Sequence, residues 1–402
     1  MSQAQALVER EWHPMAAAVA EPVTAVSRLA TASRRLVFVD YARALAVLFM
    51  VQGHALDALL APPYRQGALW DGWLFLRGLT SCSFLVLSGV AFSVTSLRHW
   101  EAQRSWSPRV FKRVRRALFF LAFAYLLRFP AGHIDHAQWV SPVAWQSFFV
   151  VDILQVVAVS LLALQGLVAL SPGPRQFVQA SGAAAAAIVL ATPVVWAADW
   201  SSWPAWLVAY LTTSGGSLFP LFPWAGYLLA GAALGIVYEA RARGGSPLAP
   251  SRWLMTLGAT TFAAGTVSLL LPWSAYVQAD VWRSSPAVFL VRGGGVLIVL
   301  GLIARLSRNA TGAPSLVRAL AAESLLVYVA HVSLLYGSRW NSSLGRLLGP
   351  QDLTATLAWI AVLFAGSSVL AWTWYRAKAD APTVASLVRI GVISALFGSV
   401  LA

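Results

Sequence analysis

The chain has 402 residues, 58% of them hydrophobic and only 11% charged, with a mean hydropathy of +0.68. Its apolar runs are continuous and reach the ~20 residues that cross a bilayer as a helix, which excludes a soluble domain and a β-barrel of ~10-residue alternating strands. The net charge of +14 sits between those runs, as in Arg109-Val-Phe-Lys-Arg-Val-Arg-Arg116, so its partner is an anionic lipid leaflet and not nucleic acid.

In chain order, residues 1–33 are polar and Ala-rich and lack the apolar stretch of a secretory signal, so they read as a disordered or surface-lying cytoplasmic tail. An all-α, polytopic membrane bundle is expected over residues 34–378. Ten spans are predicted, roughly at 36–60, 73–97, 111–130, 146–170, 176–198, 217–239, 253–272, 287–306, 316–338 and 353–376. Residues 379–402 form a C-terminal apolar segment in which 386–402 is a candidate eleventh span. Trp203-Pro-Ala-Trp-Leu-Val-Ala-Tyr210 is too short to cross and reads as an interfacial or re-entrant piece.

Most of the 29 basic residues fall on one side of this scheme, and only Arg65, Arg128, Arg283, Arg339 and Arg346 fall on the other. The rule that cytoplasmic loops are basic places the N-terminus inside. The single Cys82 rules out an intrachain disulfide framework.

The first span is unusual, because Asp40, Arg43, His54 and Asp57 interrupt its apolar residues. Each such group costs roughly 2.5–3.5 kcal/mol in hydrocarbon on insertion scales, so it faces a protein or aqueous interior. At ~100° per residue, positions 40, 43, 47, 50, 54 and 57 share one stripe. Depth then sorts the buried polar groups into two layers. His54, Asp57, Arg77, Asp152, Arg292 and His331 lie toward the outer face, whereas Asp40, Arg43 and Glu323 lie toward the inner one. The remaining histidines, His13, His99, His133 and His136, fall in the tail or in loops.

Bland readings stand beside these. Asp40 and Arg43 are spaced to pair with each other, Arg77 and Arg292 to snorkel, and Asp152 to tie helices together. Cys82 lies among small residues suited to close helix packing. Gly293-Gly-Gly295 would weaken or break the eighth span and bare its backbone, although packing explains it equally. No metal-binding Cys/His set and no nucleotide-binding glycine loop is present.

Arg35-Leu-Val-Phe-Val-Asp-Tyr-Ala-Arg-Ala-Leu-Ala-Val-Leu-Phe-Met-Val-Gln-Gly-His54 resembles the opening of transmembrane acyltransferases. It is most similar to the heparan-α-glucosaminide N-acetyltransferase-like proteins and their bacterial relatives. Arg77-Gly-Leu-Thr-Ser-Cys-Ser-Phe-Leu-Val-Leu-Ser-Gly89, Ile153-Leu-Gln-Val-Val-Ala-Val-Ser160 and Leu221-Phe-Pro-Trp-Ala-Gly-Tyr-Leu-Leu-Ala-Gly231 fit the same branch. Glu323-Ser-Leu-Leu-Val-Tyr-Val-Ala-His331 resembles a helix of the wider superfamily. The position after the motif arginine, commonly glycine, is Ala44 here.

The resemblance implies a bacterial inner-membrane enzyme that takes an acyl group, commonly acetyl, from cytoplasmic acyl-CoA. It would deliver that group to a hydroxyl or amine of an extracytoplasmic glycan or glycolipid, without a metal. His54 corresponds to the histidine regarded as catalytic. Asp57 or Asp152 could orient it, with His331 as a partner in the same site. Arg77 or Arg292 would steady an oxyanion or a substrate anion. Arg43 and Asp40 would serve the donor side, and Gln155 would join the binding residues. Direct transfer and an acyl-His54 intermediate both remain open, as does a homodimer. The competing class is a transporter or flippase with these charges as a relay and a broken eighth span as its cradle; a third is a non-catalytic envelope scaffold.

Overall fold

The computed structural model describes residues 36–131, 133–243, 248–270, 281–338 and 340–401. The expected tail at 1–33 therefore lies outside the described residues, as do Arg34, Arg35 and Arg339. Among the described residues the chain is helical, with two isolated bridges and no strand. The long helices are α1 (Val37–Leu59), α2 (Ala68–Leu97), α3 (Pro108–Leu127), α4 (Ile153–Leu170), α5 (Pro174–Ala197) and α6 (Leu221–Arg243). They continue with α7 (Ala249–Leu269), α8 (Pro286–Leu306), α9 (Ser315–Ala322), α10 (Ser324–Tyr336), α11 (Leu353–Asp380) and α12 (Pro382–Leu401).

A helix stands at each of the ten expected spans, but the count of crossings differs. By length and apolarity, eight described helices can cross a membrane, or nine if α9 and α10 form one span bent by 70°. Helices α3 and α7 are not among them. The start of α3 carries Arg109, Lys112, Arg113, Arg115 and Arg116, and α7 carries Ser251, Thr256, Thr260, Thr261, Thr266 and Ser268. The candidate eleventh span is present as α12, beginning at Pro382 instead of 386. Trp203–Tyr210 holds only a short helix, Ala205–Leu211.

Local signals set the helix starts. Ser107 accepts from the Val110 amide ahead of Pro108, and Asp352 Oδ1 accepts from Ala355 N at 2.7 Å. Packing then depends on small residues, as expected where lipid supplies no hydrophobic drive between helices. Helices α7 and α8 approach through Gly258, Gly265, Gly294 and Gly301. A Cβ on Gly258 would stand 2.7 Å from Ile298 N and 2.8 Å from Gly294 O. Gly89, Gly231 and Gly235 bring α2 and α6 into the same kind of contact. The expected break at Gly293–Gly295 is absent: α8 runs unbroken through it, because Gly294 lets the Phe262 backbone close onto the helix.

Two apolar cores result, and α1 belongs to both. Phe38, Val39 and Ala42 pack with residues of α2, α4, α5, α6 and α8. Ala44, Val47, Val51, Ala55, Leu56 and Leu59 pack with α9, α10 and α11. Ala44 is thus an occupied core position. At the far end of α1 a backbone exchange, Ala61 N to Gln351 O (2.8 Å) and Gln351 N to Leu59 O (2.7 Å), ties it to the start of α11.

Candidate functional site

The second core turns one flank of α1 toward α10, and there the two membrane histidines meet. His54 Nδ1 lies 2.8 Å from His331 Nε2, with the rings stacked at 5.1 Å between centroids. His331 is 2% exposed, and its Nδ1 donates to the Val327 carbonyl one turn earlier, at 2.5 Å. Tyr336, at the end of α10, donates its hydroxyl to the His54 carbonyl at 3.2 Å, with its ring edge-on to the imidazole. The Tyr328 ring is 6.5 Å from His54 and 6.1 Å from His331.

An ion pair stands on either side of this group. Toward the end of α1, Asp57 is bonded to Arg77 of α2, and the Arg77 stem runs against Gly53, where a Cβ would be 3.6 Å from Cγ and Nε. The Arg77 guanidinium also lies 5.5 Å from the Trp73 ring centre. Arg65 folds back onto the carbonyls that α1 leaves unpaired at its end, donating to Asp57 O at 2.9 Å and from Nε to Leu60 O at 2.8 Å.

On the other side, Arg128 grips Asp152 through Nε (2.8 Å) and Nη2 (2.5 Å), where Phe123 and Leu126 of α3 and Leu154 of α4 pack with Val329 of α10. Gln155 is fully buried beneath that pair. Its Oε1 accepts from Asp152 N at 3.1 Å and its Nε2 donates to Val150 O at 3.4 Å, so both ends of the amide serve the start of α4.

Among the described residues, neither expected carboxylate touches His54. Asp57 and Asp152 each hold an arginine, and the place of the orienting acid is taken by His331. Arg292 reaches across from α8 to α2, where a Cβ on Gly78 would be 3.4 Å from its Nε. It therefore ends one residue along from Arg77. Asp40 is buried and Arg43 half-buried near the start of α1, roughly 17–21 Å from His54 along the helix at ~1.5 Å per residue. They form no part of the histidine cluster. Glu323, at the bend between α9 and α10, is bridged by Lys378 of α11.

The residues that sequence reasoning missed are Arg128, Tyr328, Tyr336 and Arg65. Tyr328 had a signal, since it falls inside the Glu323–His331 stretch. Arg128 had none, because its partner is 24 residues away and the pairing exists only once α3 and α4 pack. No group of three or more His, Cys, Asp or Glu placed to hold a metal occurs among the described residues.

Set beside known proteins, residues 35–271 match the family model described as heparan-alpha-glucosaminide N-acetyltransferase, catalytic. No curated protein and no solved structure matches the chain. The matched stretch contains His54, Asp57, Arg77, Arg128 and Asp152 and ends before α8, so His331 and Arg292 come from the part beyond it.

Proposed function

We propose a reaction from one premise: this chain belongs to the heparan-alpha-glucosaminide N-acetyltransferase catalytic family. On that basis it is a membrane acetyltransferase that moves acetyl from cytoplasmic acetyl-CoA to an amine or hydroxyl of a glycan or glycolipid on the far side. The observation that carries the reading is the His54–His331 contact of 2.8 Å, deep in the bundle and flanked by two Arg–Asp pairs. Intramembrane ionisable groups brought together from several helices mark a site.

His54 acts as the general base. It takes the proton of the acceptor O–H or N–H as that atom attacks the thioester carbonyl. The tetrahedral oxyanion collapses with loss of the C–S bond, and the imidazolium returns the proton to the departing thiolate. Arg292 supplies positive charge to the oxyanion or to an anionic group of the substrate. Arg77 holds Asp57, so its part is to shape the wall beside His54. Gln155 is given no binding role, since its amide is already engaged at both ends. The donor approaches from the Arg43 and Asp40 end of α1, and the acceptor from the Arg65 and Tyr336 end. The transporter reading loses the support of a broken eighth span, because α8 is continuous.

The test is release of CoA thiol from acetyl-CoA by purified protein given an amino-sugar oligosaccharide. His54→Ala should lower turnover by about 10²–10⁴-fold while the protein still elutes as a folded, detergent-solubilised species. Undiminished turnover in that variant would remove His54 from the chemistry.

A further inference from the structure

We propose that His331 is a positioning residue that fixes the tautomer of His54, doing with a neutral imidazole what a carboxylate does in a Ser-His-Asp triad. The inference deepens the reading of His54 as base and rests on it. It follows from the order of donors along three residues. The Val327 carbonyl can only accept, so His331 Nδ1, 2.5 Å away, carries a hydrogen. A neutral imidazole has a single N–H, which leaves His331 Nε2 as an acceptor. That nitrogen faces His54 Nδ1 at 2.8 Å, so His54 must donate there. The one nitrogen of His54 left with a free lone pair is Nε2, and it is the atom available to take a proton.

A cationic His331 would reverse this order. Its side chain is 2% exposed and its neighbours are Val327, His54 and Tyr328, with no carboxylate in contact among the described residues. An unpaired ion there would bear its desolvation cost without compensation. The helix supplies the geometry: His331 sits four residues after Val327, and its ring bends back along α10 to reach that carbonyl. The second nitrogen is thereby aimed across the interface at α1.

During transfer the acceptor proton arrives at His54 Nε2. The imidazolium keeps its Nδ1–H on His331 Nε2, and the proton then leaves from Nε2 to the thiolate. His331 gains and loses nothing in the cycle, which is why its removal should act on turnover and not on substrate binding.

Three variants and one spectrum test this. His331→Leu keeps bulk but offers His54 no acceptor, and kcat should fall about 10²–10⁴-fold, the range seen when a base or its tautomer is lost, with KM within about threefold. His331→Gln can accept from His54 Nδ1 through Oε1 and should recover most of that loss. Equal loss in the two, or a change confined to KM, would overturn the assignment. His54→Ala separates the premise from the inference, since activity surviving there defeats the base itself. Independently of turnover, ¹⁵N spectra of histidine-labelled protein, assigned with His54→Ala, should show His54 protonated at Nδ1 and bare at Nε2. Finding the hydrogen on Nε2 in the wild-type protein would refute the proposal even if every kinetic result agreed.

Discussion

Arg77 and Arg292 look alike in the sequence, yet their surroundings differ. The Arg77 guanidinium is taken by Asp57 and shielded by Trp73. Arg292 makes no hydrogen bond or ion pair among the described residues and rests against Gly78. A cation held at that depth without a protein anion fits a role toward a substrate's negative charge. Arg292→Gln should therefore lower kcat/KM by about 10–100-fold, equivalent to one lost charge-assisted contact of about 1.5–3 kcal/mol, and leave thermal stability in detergent close to wild type. Arg77→Gln should do the opposite, costing about 1–3 kcal/mol of stability for a half-buried pair. Kinetics and melting curves measured on both variants would check the contrast. The two histidines were legible as a pair because each interrupts an apolar run at matched depth. Their partners were not legible. Whether an aspartate faces a histidine or an arginine depends on how α1, α2, α3 and α4 turn against one another, and spacing along one helix does not encode that.

The helices themselves were well marked, since continuous apolar runs and Ser, Asp or Pro at their starts leave little choice of position. What escaped was how helices bend and cross. The 70° bend at Glu323 falls inside an apolar run, and the lysine that bridges to it lies 55 positions on, at Lys378. Gly293–Gly295 shows the converse, where a signal for breaking serves close approach. Two glycines test that distinction. Gly258→Ala would set a Cβ against rigid backbone at 2.7–2.8 Å and should cost about 3 kcal/mol or more through forced separation of α7 and α8. Gly182→Ala, within α5 and with nothing inside 4 Å, should instead be neutral or stabilising by about 0.5–1 kcal/mol. Thermal unfolding of the two purified variants should bracket the wild type.

Over the whole molecule, the distribution of basic residues predicts an orientation for the bundle. If α3 crosses despite its basic first turns, the stretch around Arg98–Arg116 is expected inside and the segment between α3 and α4 outside. Ser105 and Ser141 are both exposed. With Cys82 replaced, an impermeant thiol reagent applied to intact cells should label Ser141→Cys and spare Ser105→Cys, and the reverse pattern would invert donor and acceptor sides together. The sharing of α1 between two cores carries a consequence for how the molecule comes apart. The first turns of that helix lean on one set of partners and the later turns on another. Melting either set would strip the other of a wall, so the two halves are expected to unfold as one cooperative unit and not as two domains that open independently. His54 and His331, one from the shared helix and one from the second core, should therefore keep their register until global unfolding, so that the base is lost with the fold and not before it.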